Sequence, residues 1–211
     1  WKITILGKQA HGSRPWDSID PIMVAFQLGN NLQTIISRKL DLRESPAVIS
    51  VGSIHGGIRS NIIPDKVEME GTIRTFDPII REKIFSEIRN IAEGTAALAG
   101  ASVEISLPNG ESYPVTLNDI DLTARSLPTL EKIVGKDMIF RADRSTGAED
   151  FSFFSQEIPG FFFFLGVNKP GVDYKKVPGN HSPYFYVDDG ALPVGFKALT
   201  KLTIDYLYGD I

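Results

Sequence analysis

The dipeptide Asp-Pro occurs twice in the first half of this chain, as Asp20-Pro21 and Asp77-Pro78, and each copy opens an apolar stripe of helical spacing. Aspartate can cap the free N–H groups of a first helical turn, and proline at the first helical position loses no hydrogen bond. Strand-like stretches flank the two predicted helices at residues 1–7, 47–53, 66–76 and 102–107. The order βαββαβ predicts a ferredoxin-like α+β domain with a four-stranded antiparallel sheet and two helices on one face.

The third predicted strand indicates how this sheet divides its two faces. Successive side chains of a strand point to opposite faces. Val67, Met69 and Ile73 fall on one side of the strand, and Glu70 and Arg74 fall on the other. We therefore expect Val67 and Ile73 to face the helices.

The residues from 113 to 211 are typical of the later part of an α/β domain. Helices are predicted over 118–135, where Pro128 would kink or split the helix, and within 147–156. Strands are predicted at 138–142 and at 161–165, the latter because an unbroken apolar run suits a parallel strand covered on both faces. Asp188 or Asp189 is predicted to cap a last helix that ends near Tyr208.

The two predicted strands of this second part do not complete a doubly wound sheet. We expect the missing strands to lie before Trp1, which we interpret as a cut inside a longer protein. Targeting therefore stays undecided between a cytoplasmic and a periplasmic or otherwise exported protein.

Composition and charge exclude several kinds of function. The net charge of −4 argues against a nucleic-acid-binding surface, which needs clustered lysine and arginine. The chain contains no cysteine, so it can form neither a disulfide framework nor a thiolate metal site. The longest apolar run, 161–165, is far shorter than a membrane span. We expect no nucleic-acid partner and no membrane partner.

Two loops in the first half carry side chains that could reach a ligand. His11 lies in a glycine-rich segment between the first strand and the first helix, although most single loop histidines are plain surface residues. Asn61 follows the pair Gly56-Gly57, which permits close backbone approach, although asparagine is also a common turn former. The residues alone leave both alternatives open.

Three further residues carry candidate chemistry. Arg74 stands near the end of a strand, where its planar guanidinium suits a carboxylate, although a cross-strand pair with Glu68 or Glu70 is the simpler explanation. Glu149 either decorates a helix terminus or lines a site at the end of a strand. His181 follows the predicted buried strand, where a neutral imidazole could bind zinc or manganese or could be a capping or surface residue.

Taken in order, these segments resemble the amidohydrolase branch of the aminoacylase and carboxypeptidase family of dinuclear zinc metallopeptidases. That branch includes hippurate hydrolases, N-acyl-amino-acid hydrolases and hydrolases of auxin–amino-acid conjugates. The resemblance covers almost the whole chain and depends on the ordered set. Its segments are Gly-Lys-Gln-Ala-His-Gly-Ser at 7–13 with Asp-Pro at 20–21, Gly-Gly at 56–57 with Asn-Ile-Ile-Pro-Asp at 61–65, Gly-Thr-Ile-Arg-Thr-Phe at 71–76, Gly-Ala-Glu-Asp-Phe at 147–151 and His-Ser-Pro at 181–183.

The resemblance implies a two-domain enzyme that hydrolyses the amide bond of N-acyl amino acids or small peptides. Residues 1–112 would form its ferredoxin-like lid, which usually mediates dimerisation, so a homodimer is implied. Residues 113–211 would form the C-terminal part of the α/β catalytic domain.

The same resemblance assigns a role to five residues. His11 matches a lid histidine that stabilises the oxyanion, often across a dimer. Asn61 and Arg74 match lid residues that hold the substrate, with Arg74 on its carboxylate. Glu149 lies in an acidic loop beside the metal site, and His181 matches the last metal ligand.

The resemblance also implies two divalent metal ions, zinc or manganese, in the intact enzyme. In the family the other metal ligands and the general-base glutamate precede the lid, and nothing in this chain matches them. Three histidines and no cysteine cannot replace such a site, so we expect little or no metal binding and no activity from the chain alone.

Two other interpretations stay open. The chain could be a non-catalytic dimerisation or binding module, an inactive relative of the enzymes. A ferredoxin-like RNA-binding unit is the second alternative. The acidic charge and the lack of an aromatic strand motif argue against it.

Overall fold

The computed structural model of the chain describes residues 1–43, 45–110, 112–169, 171–173, 176–209 and 211. Its strands are Lys2–Leu6 (β1), Ala10–His11 (β2), Ala47–Gly56 (β3), Ile62–Ile63 (β4), Lys66–Thr75 (β5) and Ser102–Ser106 (β6). Its helices are Pro21–Thr34 (α1), Pro78–Leu98 (α2), Ile120–Val134 (α3), Phe151–Glu157 (α4) and Leu192–Tyr208 (α5). The described helices include none that is both long and apolar enough to cross a membrane.

The chain divides into two units, residues 1–115 with 146–148 and residues 116–145 with 149–211. The first unit is built on a sheet with the strand order β3-β5-β1-β6, in which all neighbours are antiparallel. Helices α1 and α2 pack on one face of this sheet. This arrangement confirms the predicted ferredoxin-like fold of the first unit.

Both predicted helix starts are present, and the two aspartates act as caps. Asp20 Oδ1 accepts a hydrogen bond of 2.9 Å from the N–H of Ile22 at the start of α1. Asp77 Oδ1 accepts one of 2.7 Å from the N–H of Ile79 at the start of α2. Each carboxylate satisfies a donor that has no partner inside the helix, and this explains why the repeated dipeptide locates both helices correctly.

The core of the first unit lies between the sheet and its two helices. Val67 and Met69 of β5 are buried, and Ile73 packs against the same core, as the alternation predicted. Trp1 is also buried, with its backbone paired to Gly71 by hydrogen bonds of 2.9 and 3.0 Å. On the other face of the sheet, Lys2 forms ion pairs with Glu68 and Glu70.

We expect Gly71→Ala to destabilise the first unit by about 1–3 kcal/mol, the usual range for overpacking. A Cβ at this position would collide with the carbonyl oxygen of Ser50 and lie 2.5 Å from Cζ2 of Trp1. Urea denaturation followed by tryptophan fluorescence measures the change.

The matched control for this variant is Gly94→Ala in α2, where an added Cβ meets nothing within 4 Å. This change should stabilise the unit by roughly 0.5–1 kcal/mol, because alanine favours the helix over glycine. Equal free energies of unfolding for the Gly71→Ala and Gly94→Ala proteins would contradict the packing argument.

In the second unit, α3 packs against α5 around a buried carboxylate. Asp205 is 4% exposed and accepts a hydrogen bond of 2.6 Å from Thr129 Oγ1 on α3. Lys201, one turn earlier on α5, also donates to this carboxylate. The hydrogen bonds from Lys201 and Thr129 lower the pKa of Asp205 below its ordinary value. The carboxylate is therefore charged near neutral pH, and its bond to Thr129 links α5 to α3.

The structure corrects both strand predictions in the second unit. Residues 139–142 are irregular after a single turn of 3₁₀ helix at Lys136–Met138. Residues 161–165 form no strand, and Phe164 is 71% exposed. A strand needs a neighbouring backbone, whereas here the N–H and C=O of Phe162 bond at 2.8 Å to the side-chain amide of Asn118.

The helices of the second unit were predicted more accurately than its strands. Helix α3 is continuous and Pro128 does not split it. The short helix α4 begins inside the predicted range and ends one residue beyond it, at Glu157, and α5 ends at Tyr208 as expected. The capping prediction was wrong, because a 3₁₀ turn at Asp189–Ala191 precedes α5 and Asp188 makes no side-chain cap there.

Candidate functional site

A two-stranded ribbon beside the main sheet carries two of the predicted site residues. Strand β2 pairs antiparallel with β4, and His11 stands opposite Ile62. The N–H of Gly12 donates a hydrogen bond of 2.7 Å to the carbonyl oxygen of Asn61. His11 and Asn61 are therefore close together at the end of the ribbon, and both are exposed.

The glycine between His11 and Ser13 allows this close approach. A Cβ on Gly12 would lie 3.2 Å from the carbonyl carbon and oxygen of Asn61, tighter than most side-chain contacts. The backbones of the His11 loop and the Asn61 loop are therefore in direct contact, which fixes the two loops relative to each other. This contact explains the glycine after the histidine in the sequence.

The imidazole of His11 is oriented by its own turn. The N–H of Ser13 donates to Nδ1 at 3.1 Å, and Ser13 Oγ lies 2.8 Å from the same nitrogen. Because Nδ1 accepts from a backbone donor, the neutral ring carries its proton on Nε2. Nε2 is then a hydrogen-bond donor that can face a ligand. Ser13 was not among the predicted site residues, although a serine two residues after a loop histidine is a recognisable turn signal.

Arg74 lies at the opposite end of β5 from the ribbon. At roughly 3.4 Å per residue, the stretch from Lys66 to Arg74 covers about 27 Å. Its cross-strand neighbour is Val48 on β3. The structure therefore brings His11 and Asn61 together but leaves Arg74 far from them within one chain.

The carboxylates considered as partners for Arg74 are bound elsewhere. Glu68 accepts from Lys66 at 2.8 Å and from Lys2 at 3.3 Å, and these bonds lower the pKa of its carboxyl group. Glu70 lies 3.0 Å from the ammonium of Lys2. Among the residues that the structure describes, Arg74 forms no ion pair, so its guanidinium is available for an external carboxylate.

The remaining two candidates belong to the second unit. Glu149 lies two residues before the first residue of α4, and its carboxylate accepts a hydrogen bond of 3.4 Å from the N–H of Phe151. This contact places the carboxylate at the start of α4, and the role of Glu149 stays a prediction. His181 is exposed in a turn in which the N–H of Ser182 donates to the carbonyl of Gly179 at 2.9 Å.

The described residues do not by themselves fit a dinuclear metal centre. No group of three or more histidine, aspartate or glutamate residues among them lies close enough together to hold a metal ion. Two metal ions need several such ligands and a bridging group. Any such centre would need ligands from outside the described part of the chain.

The chain is similar to carboxypeptidases and deacetylases over nearly its whole length. Residues 1–98 match the model of the peptidase dimerisation domain. The chain is 38% identical to thermostable carboxypeptidase 2 of Saccharolobus solfataricus over 208 residues, covering 98% of this chain and 51% of that protein. It is 35% identical to N-acetylcysteine deacetylase of Bacillus subtilis, covering 97% of this chain and 50% of the relative.

A solved structure shows the same architecture. The Bacillus subtilis protein described as a dinuclear metal-binding peptidase of the M20 family superposes with a TM-score of 0.70 and 30% identity. The match covers 98% of this chain and 49% of that one. The chain spans about half the length of the curated relatives it matches. The chain belongs to the M20 family of peptidases and amidohydrolases, and residues 1–98 are its dimerisation domain.

Proposed function

We propose that the protein containing this chain hydrolyses the amide bond of N-acyl amino acids or small peptides. The observation that carries the proposal is the ribbon, which presents an oriented His11 and Asn61 side by side at its exposed end. The carboxypeptidase and deacetylase relatives act, by their names, on bonds of this kind. In this proposal residues 1–112 are the lid and residues 113–211 belong to the catalytic domain.

His11 acts in this proposal on the oxygen of the scissile amide. Its Nε2–H donates to the oxyanion that forms when the carbonyl carbon becomes tetrahedral. Ser13 keeps the ring in the required tautomer by donating to Nδ1. Asn61, fixed to the same ribbon through Gly12, supplies an amide donor and acceptor that positions the substrate.

His181 is proposed as one metal ligand of a site completed by residues outside this chain. The intact protein would bind two divalent ions, zinc or manganese, and a metal ion of this kind supplies Lewis-acid activation to amide hydrolysis. Glu149 is proposed to lie beside the substrate. The chain alone is expected to bind little metal.

The intact protein, loaded with zinc or manganese, can be assayed against hippurate and other N-acyl amino acids. We expect release of the free amino acid from at least one of them. The 211-residue chain under the same conditions serves as the inactive control. A metal-loaded intact protein that releases no amino acid from any N-acyl amino acid or small peptide would overturn the proposed activity in favour of an inactive relative.

Arg74 is proposed to bind the substrate carboxylate, and Arg74→Gln should lower kcat/KM by roughly 10- to 100-fold. The estimate follows from the 1.5–3 kcal/mol that a hydrogen bond to a charged group contributes, at about 1.4 kcal/mol per tenfold. Steady-state kinetics on an N-acyl amino acid give the value. Its control is the same substrate with the carboxylate capped as an amide. An equal loss on both substrates would show that Arg74 does not bind the carboxylate.

We propose that the first unit forms a homodimer through β3 and α1. Both elements lie on one edge of the fold, and β3 is an edge strand with open backbone groups. Neither α1 nor β3 contains a lysine, arginine, aspartate or glutamate, whereas α2 contains six such residues. A second copy offers the same uncharged face, as a two-fold interface requires.

Phe26→Glu is expected to convert the dimer into a monomer at micromolar concentration. Phe26 is 58% exposed on α1, and a carboxylate there would be buried without a partner in the interface. Sedimentation equilibrium gives the mass. The matched control is Ile79→Glu on α2, where the original residue is 78% exposed. A wild-type chain that sediments as a monomer, or an Ile79→Glu chain that alone dissociates, would exclude this interface.

A further inference from the structure

A groove on the first unit lies between α2 and the segment that follows β6. Its volume is about 580 Å³, within the range of small-molecule sites. Arg81, Phe85 and Arg89 line one wall, and Leu107 and Pro108 line the other. None of the residues assigned above to substrate binding or catalysis lines it. The groove is therefore separate from the candidate site.

The wall on α2 carries an aromatic ring and two arginines. Arg81, Phe85 and Arg89 are spaced four residues apart, so they share one side of the helix. The guanidinium carbon of Arg81 lies 5.9 Å from the ring centroid of Phe85, a cation–π distance. Arg89 donates a hydrogen bond of 2.9 Å to the carbonyl oxygen of Leu107. Both arginines are thus held in place before any ligand arrives.

Arg81 has hydrogen-bonding capacity that the described residues leave unused. Its Nε is buried and has no hydrogen-bond partner. Glu82 Oε1 forms an ion pair with that nitrogen at 3.4 Å, but without hydrogen-bond geometry, and the Glu82 side chain is 67% exposed. The two arginines and one glutamate of the described lining leave a net charge of 2 − 1 = +1. The groove therefore favours an anion over a cation.

We propose that this groove binds a small molecule that joins a carboxylate to an aromatic ring. The carboxylate pairs with the planar guanidinium of Arg81, which matches it with two parallel donors. The ring lies against the apolar surface of Phe85, Leu107 and Pro108. Ser86, which also lines the groove, adds a hydroxyl for a second polar group.

The probe for this site is phenylacetate, compared with phenylacetamide, which lacks the charge, and acetate, which lacks the ring. Each is titrated into the 211-residue chain and followed by ¹H–¹⁵N NMR. We expect phenylacetate to shift the backbone amides of Ser86, Arg89 and Leu107. Its dissociation constant should be at least about tenfold lower than that of either comparison molecule, equivalent to about 1.4 kcal/mol. Equal affinity for phenylacetamide would overturn the proposal.

Four variants locate the binding. Arg81→Gln should weaken phenylacetate binding at least about tenfold, and Lys83→Gln, which removes one positive charge from the same helix outside the groove, should leave it unchanged. Ser86→Trp, which fills the groove, should abolish the shifts. Arg74→Gln should not alter them, which separates this groove from the proposed substrate site. An equal loss in the Lys83→Gln or Arg74→Gln chain, or no loss in the Arg81→Gln chain, would refute it.

Discussion

In the intact protein, His11→Ala is expected to lower kcat by roughly 10²- to 10³-fold while the metal content stays unchanged. This is the cost of removing one donor from an oxyanion site. The reason lies in the ring orientation, because the Ser13 N–H occupies Nδ1 and leaves Nε2–H as the donor. Steady-state kinetics and metal analysis on the same preparation measure both quantities.

His55→Ala is the matched control for this variant, since His55 is the other histidine of the first unit and is also exposed. His55 lies on β3, opposite Glu68 of β5 and outside the ribbon. We expect its kcat to be near that of the unaltered protein. If His11→Ala lost metal together with activity, His11 would be a ligand and its oxyanion role would be wrong.

His181→Ala is expected to give the opposite pattern, with lowered metal occupancy and abolished amide hydrolysis. A ligand contributes directly to metal affinity, whereas an oxyanion donor does not. The exposed position of His181 in its turn leaves the imidazole accessible to an ion held by other residues. Full metal content with a normal rate in this variant would identify His181 as an ordinary surface residue. Together the two histidine variants separate metal binding from oxyanion stabilisation.

The fold of the first unit could be predicted from local sequence signals because those signals are satisfied locally. Asp20 and Asp77 bond to N–H groups two residues further along the chain, so each helix start is fixed by its own neighbourhood. The alternation around Val67 reports burial directly. Such signals need no knowledge of distant parts of the chain.

In the second unit the strand predictions were wrong, because a strand depends on a partner that is distant in the sequence. A run of phenylalanine at 161–165 indicates burial, but strand formation depends on a neighbouring backbone that sequence patterns do not supply. The residue that bonds to Phe162 is Asn118, separated by 44 positions and by two helices. No periodicity in the sequence connects them.

The candidate site shows a similar division. The sequence identified His11 and Asn61 as separate loop residues, and only the structure places them on one ribbon. The roles of all five candidate residues stay predictions. The ion pairs of the sheet could not be predicted either. The sequence alone does not decide whether Glu68 and Glu70 bind Lys2 or Arg74.

The separation of the ribbon from Arg74 along β5, about 27 Å, has a genetic consequence. A small substrate cannot touch both ends of one such strand, so a site that used both groups would draw them from different copies of the protein. Two defective alleles, one altered at His11 and the other at Arg74, would then assemble mixed pairs in which one site inherits both intact groups. The proposed roles therefore imply intragenic complementation, in which two inactive gene products restore part of the activity when they are expressed together.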